Sequence, residues 1–267
     1  MHSTAHCARP VLTTVLTVLS TAFLAAPASA SERADRIMNH ELGSQIRLHE
    51  GAERGPVPIA PAATVSGMDV ASYQGNVNWA SWWNQGKRFA YVKATEGTSY
   101  TNPYFAQQYN GSYSVGMVRG AYHFALPDKS SGAAQANYFV SNGGGWSRDG
   151  KTLPGVADLE YNPYGPTCYG KTQPDMAAWI REFAGTYRAR TGRDAVFYTS
   201  TNWWSQCVGT AQTFSGTNPL WVARYSSTVG TLPNNWPVWT FWQYTSTPLD
   251  QDYFNGTPDR LRVLATG

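Results

Sequence analysis

Between Thr64 and Thr199 the chain alternates short apolar, β-branched runs with helix-like ones, and this rhythm restricts the fold more than any other feature. Thr64 to Val70 reads as a strand ending at Asp69. Asn78 then caps a brief helix through Trp79, Trp82 and Trp83 that stops at Gly86. Phe89 to Thr95 is a second strand. Asn102-Pro103 opens a helix running to about Val115, and Met117 to Phe124 is the third strand. Ser131 to Val140 reads as a helix broken by Asn142-Gly143-Gly144-Gly145, followed by a fourth strand within Leu153 to Tyr161. Thr172 to Thr191 is the longest helix, with Pro174 near its start and Gly192 at its end, and Ala195 to Thr199 is the fifth strand. Alternation of this kind implies a parallel sheet with right-handed crossovers. Leu220 to Ala223 and Val238 to Tyr244 read as further strands with no full helix between them. Seven or eight strands in one domain favour a closed α/β barrel, short of helices on one side.

In such a barrel the strand C-termini build the site. Here the polar residues that end apolar runs are Asp69, Glu96, His123, Asp158 with Glu160, Tyr198, Arg224 and Gln243. The densest of these ends is Leu153-Pro154-Gly155-Val156-Ala157-Asp158-Leu159-Glu160-Tyr161. If that run is extended, Asp158 and Glu160 share a face with Cα atoms roughly 6.5–7 Å apart. Carboxyls held so close split their pKa values, one ionised and one protonated near neutrality, which equips them to break a glycosidic bond. Taken alone, the pair reads first as an ordinary solvated strand end. Polar strand ends in succession are what turn it into a cleft.

Composition narrows the partners. Charged residues are 14% and aromatics 14%, with 11 Trp and 16 Tyr, a balance that argues against disorder and against nucleic-acid binding. A net charge of +3 implies no polyanion, yet does not hinder approach to an anionic wall. Tyr198, Trp221 and Tyr244 are candidate sugar platforms or core rings. Glu96 is either a substrate contact or an ion-pair partner, and His123 reads more as a packed rim histidine than as an acid or base. No His/Cys cluster has metal-ligand spacing, so no metal or other cofactor is expected.

Val11 to Ala26 is uncharged and apolar, preceded by Arg9 and followed by Ala28-Ser29-Ala30, the pattern of a secretory signal cleaved after Ala30. It is too short and Thr-rich for a membrane anchor. Cys7 would leave with the signal, and Cys168 and Cys207 then form the expected disulfide of an exported chain. The expected division is a signal at 1–30, a propeptide or N-terminal arm at 31–63, and a single catalytic domain at 64–267. In the arm, Arg36 to Arg47 suits a short amphipathic helix, and Gly55-Pro56-Val57-Pro58-Ile59-Ala60-Pro61 suits an extended linker.

Five motifs in order resemble the glycoside hydrolase family 25 lysozymes, the Chalaropsis-type muramidases. They are Gly67-Met68-Asp69-Val70-Ala71-Ser72-Tyr73-Gln74-Gly75, Lys93-Ala94-Thr95-Glu96-Gly97, Gly120-Ala121-Tyr122-His123-Phe124, Asp158-Leu159-Glu160 and Trp242-Gln243-Tyr244. The resemblance runs from about Thr64 to the end of the chain and implies a modified TIM-like (β/α)5β3 barrel. It also implies hydrolysis of the β-1,4 bond between N-acetylmuramic acid and N-acetylglucosamine in peptidoglycan, by a secreted monomer. It makes Glu160 the proton donor, Asp158 the transition-state stabiliser or nucleophile, and Asp69 and Asp250 the flanking aspartates, with Asp252 a rival for Asp250. Glu96, Tyr122, Tyr198, Trp221, Arg224, Gln243 and Tyr244 are the expected substrate contacts. A chitinase-like barrel is disfavoured because Gly155-Val156-Ala157 stands where that family's acidic run should lie. A decayed, non-catalytic glycan-binding barrel is disfavoured because Asp69, Asp158 and Glu160 are all retained.

Overall fold

The computed structural model describes residues 1–2, 40–51, 63–234 and 236–267. The expected signal, Cys7 and the Pro-rich stretch 55–61 lie outside the described residues. A helix α1 (Ser44–Glu50) precedes the barrel, where the sequence suggested one over 36–47. Five strand–helix units follow: β1 (Thr64–Val70) with α2 (Trp79–Asn84), then β2 (Phe89–Glu96), a two-residue β3 (Tyr100–Thr101) and α3 (Phe105–Ser114). Next come β4 (Val118–Phe124) with α4 (Gly132–Phe139), β5 (Val156–Asp158) with α5 (Gln173–Thr191), and β6 (Val196–Thr199) with α6 (Thr201–Cys207). Strands β7 (Leu220–Ala223), β8 (Phe241–Thr245) and β9 (Gln251–Asn255) complete the wall, and α7 (Pro258–Thr266) ends the chain.

The sheet order is β1-β9-β8-β7-β6-β5-β4-β2, and β1 pairs with β2 to close an eight-stranded barrel, with β3 as a short flap on β2. Within the barrel the pairings are parallel except those of β9, which runs antiparallel to both β8 and β1; the β3 flap is antiparallel to β2. This is the (β/α)5β3 arrangement: five helix-covered strands, then three without intervening long helices. Neither β9 nor α7 is legible in the hydrophobic pattern. β9 is short and carries Gln251 and Asp252, so it reads as polar loop until its register is known.

Local signals account for the helices. Asn78, Ser131 and Thr172 each accept a backbone N–H of the first turn through the side chain, as N-caps do, and Gly192 closes α5 with φ 73°. The helix after β2 starts two residues later than Asn102-Pro103 suggested. Asn102 Nδ2 donates to the Lys93 carbonyl and to Gln108 Oε1 at 2.8 and 2.9 Å, while its Oδ1 accepts the Tyr104 N–H at 2.9 Å, so it caps a turn just ahead of the helix.

Rings fill the barrel interior. Tyr91 packs on Trp221 (4.9 Å between centroids) and Phe241 (5.5 Å), and Phe241 packs on Phe89 and Phe254 at 5.3 Å. A Cβ on Gly120 would lie 2.2 Å from the Tyr91 ring, so glycine on β4 leaves room for that ring. On the outer face of β4, His123 sits buried between Thr95 Oγ1 (2.7 Å) and Gln135 Oε1 (2.9 Å), against Phe139 and Phe183. Burial pulls its pKa down to about 4, the mark of a neutral packing residue. The Cys168–Cys207 disulfide joins the loop after β5 to the end of α6 with a Cα separation of 5.3 Å. Closing a loop of 39 residues stabilises by about 3–4 kcal/mol in the chain-entropy picture.

Candidate active site

Above the ring-filled core, the C-terminal mouth of the barrel is lined by inward side chains of successive strands: Asp69, Lys93, Tyr122, Asp158, Tyr198 and Gln243, all buried. The ladder of β5 ends at Asp158, sooner than the run to Tyr161 suggested. Leu159 N–H still donates to the Tyr198 carbonyl at 2.9 Å, so the chain stays extended one step further and Glu160 also turns into the mouth.

Gln243 organises the floor. Its Oε1 accepts from Tyr198 and Tyr225 hydroxyls, each at 2.6 Å, which aims Nε2 at Asp69 Oδ2, 2.8 Å away. Asp69 keeps its other oxygen unpartnered among the described residues, as Asp158 keeps both. Burial and the Asp252 charge hold the Asp69 carboxyl well above its ordinary value. Burial and Glu160 do the same to Asp158. Glu160 is pushed up to about 7, burial being the main cause, while backbone N–H donors and Arg47 pull the other way. A buried pair of this kind holds one proton near neutrality.

Glu96 differs. Burial alone would raise its pKa, but Lys93 Nζ at 2.5 Å and the His40 contacts outweigh burial and bring it to about 2. Its Oε1 also accepts the Tyr164 hydroxyl at 2.7 Å. The ion-pair reading of Glu96 describes what the structure shows: it is half of a buried pair with Lys93.

Asp250 and Asp252 separate by depth. The β1–β9 register sets Asp252 opposite Gly67, inside the barrel, and the two-residue period carries Asp250 up to the level of Asp69. Asp250 accepts Arg47 Nη1 at 3.0 Å, whereas both Asp252 oxygens are buried and unpartnered among the described residues.

Two expected sugar platforms are core instead. Trp221 is fully buried in the ring stack under the mouth, 5.4 Å from Tyr198. Tyr244 follows Gln243 on the strand and so faces outward, stacking on Tyr253 at 4.3 Å. Arg224 stands exposed on the loop after β7, beside a groove of about 240 Å³ that Ile46, Glu50, Asn202 and Tyr225 also line. Tyr225, Lys93 and Tyr164 were missed by the strand-end rule. Tyr225 and Tyr164 sit in loops, where no periodicity aims a side chain.

The mouth is filled by the arm. Gly43 N–H donates to Glu160 Oε1 at 2.8 Å, and the N–H groups of Gln45 and Ile46 donate to Oε2 at 2.9 Å. Lys93 Nζ donates to the His40 carbonyl at 2.5 Å, Leu42 N–H to the Tyr122 hydroxyl at 3.2 Å, and Tyr225 approaches the Gly43 carbonyl at 3.2 Å. Glu50 accepts from Tyr161, Asn202 and Ser200, and the His49 ring stacks on Tyr161 at 4.2 Å. Leu42 and Ile46 are buried to 0% and 1% exposure, each contributing about 1.5–3 kcal/mol of apolar burial.

The sequence and the fold have known counterparts. Residues 68–253 match the model of the glycosyl hydrolases family 25. Lysozyme M1 of Streptomyces globisporus is 47% identical, covering 84% of this chain and 80% of that protein. That span, about 224 residues, exceeds the 204 from Thr64 to Gly267, so the similarity reaches into the arm. The N,O-diacetylmuramidase of Chalaropsis is 48% identical over 76% of this chain and all of its own length. The solved structure of a muramidase from Acremonium alcalophilum is 52% identical, covers 76% of this chain and 99% of that one, and superposes with a TM-score of 0.75. With the barrel, its carboxylate-lined mouth and these matches in agreement, the chain belongs to the glycosyl hydrolases of family 25.

Proposed function

We propose that the protein is a secreted muramidase that hydrolyses the β-1,4 bond between N-acetylmuramic acid and N-acetylglucosamine in peptidoglycan. The reading rests on one observation: two fully buried carboxyls, Asp158 and Glu160, share a single mouth, and neither Asp158 oxygen accepts a hydrogen bond among the described residues. Relatives whose names are lysozyme and N,O-diacetylmuramidase support the substrate class.

In the open cleft Glu160 donates its proton to the leaving glycosidic oxygen. Positive charge then develops at the anomeric carbon, and the Asp158 carboxylate stabilises it as nucleophile or by orienting the substrate's acetamido group. Either route gives net retention. Asp69, held by Gln243, and Asp250 at the rim line the same pocket. Lys93 keeps Glu96 ionised, leaving it as a hydrogen-bond acceptor for sugar hydroxyls.

The test is lysis of purified peptidoglycan, assayed with and without the arm, with identification of the new reducing ends. Muramic acid ends with an initial β-anomer by proton NMR are expected. Glucosamine ends would overturn the bond assignment, and binding without lysis would make the barrel a glycan-binding module.

A further inference from the structure

We propose that residues 40–51 are a built-in inhibitor, and that the chain is a zymogen whose cleft opens when the arm undocks or is cut away. The proposal rests on the reading of Asp158 and Glu160 as the catalytic pair.

Occupancy is the first argument. The backbone of His40 to Ile46 uses the groups a glycan would need: Lys93, Glu96, Tyr122, Glu160, Tyr225 and Gln243. A sugar ring and this segment exclude each other at the carboxylates.

Protonation is the second. Three N–H groups converge on Glu160, and they favour its charged form, because hydrogen bonds to a carboxylate are stronger than those to a neutral carboxylic acid. Asp158 beside it has no donor for either oxygen among the described residues. With the arm docked, the shared proton therefore belongs on Asp158. That inverts the catalytic pattern, in which Glu160 carries the proton and Asp158 the charge.

The third argument is that the contact is specified without being structural. Gly43 takes φ 77°, and a Cβ there would lie 2.0 Å from the Tyr225 hydroxyl and 2.3 Å from that of Tyr198. Only glycine brings its N–H to Glu160 so closely. Arg47 clamps Asp250 and Glu41 beside it. Yet the barrel closes through β1–β2 and β1–β9 pairing, with no strand from the arm. A helix as short as α1 does not persist alone in water, so an undocked arm loses the shape that fits the cleft.

The experiment compares three proteins at nanomolar concentration: the uncleaved chain, the full-length Gly43→Val variant, and a full-length chain cut at a protease site introduced within residues 52–62. Dilution matters, because cutting removes the high effective concentration of a tethered arm. Initial rates of peptidoglycan lysis should rise at least about tenfold in the variant and the cut chain, as the competent fraction grows. Binding of an N-acetylglucosamine tetrasaccharide by calorimetry should appear in the same two proteins and be absent from the uncleaved chain. Equal lysis by all three would overturn the inhibitor and leave the muramidase standing. If none lyses peptidoglycan, the muramidase reading falls, and the sugar-binding arm still decides occlusion: equal binding before and after cutting would overturn it.

Discussion

Glu96 and Glu160 are the same residue type, equally buried, at the mouth ends of two strands separated by β4, and both are held by the arm. One sits at about 2 and the other at about 7. Burial opposes charge on both. Glu96 has Lys93 within 2.5 Å to offset that cost, whereas Glu160 has Asp158 for a neighbour and only neutral N–H groups in contact. Depth alone thus says nothing about which acid is ready to give up a proton; the nearest formal charge decides it.

Removing the counter-charge is the strongest way to break this contrast. Lys93→Met leaves Glu96 buried without its ammonium partner, and folding stability should fall by about 3–5 kcal/mol, read from urea midpoints. An unchanged midpoint would show that the pair is not what holds Glu96 ionised. Next, in the arm-cleaved enzyme, Glu160→Gln should lower kcat by at least about 10²-fold, some 2.7 kcal/mol in barrier, with glycan binding retained. Glu96→Gln should leave kcat within about tenfold. Comparable losses from the two would erase the distinction drawn here.

The two glutamates also differ in their pH windows. The N–H donors of the docked arm favour the charged form of Glu160, so these hydrogen bonds hold the arm best where Glu160 is ionised and weaken as pH falls through about 7. Asp250 with Arg47 pulls the same way, Asp158 opposes it, and the phenols of Tyr169, Tyr198 and Tyr225 stay neutral, burial holding them well above their ordinary range. The ratio of cleaved to uncleaved rates should therefore shrink severalfold between pH 8 and pH 6. His40→Asn, repeated alongside, removes the ring that faces Glu96; a ratio flat with pH in that variant would disconnect Glu160 from docking. Glu96, near 2, contributes stability that is present above its unfolded value and fades only as pH drops toward 2. The smallest effect comes from Tyr164→Phe, which deletes one donor to Glu96 and should reduce stability by about 1 kcal/mol in thermal unfolding.

The sequence determined the barrel because its signals are local. Alternating runs, the caps Asn78, Ser131 and Thr172, and Gly192 at a helix end are each read within a few residues. The strand-end carboxylates were legible for the same reason, since period two puts Asp69 and Asp158 at the mouth. Tertiary structure decided what depends on partners far along the chain. The inward facing of Trp221 and outward facing of Tyr244 follow from register across β6, β7, β8 and β9. The depth of Asp252 follows from an antiparallel strand too short and polar to announce itself. The arm's place on Glu160 joins residues 117 apart. Protonation behaves the same way, because it answers to Coulomb interactions in a buried mouth, and sequence distance does not enter those at all.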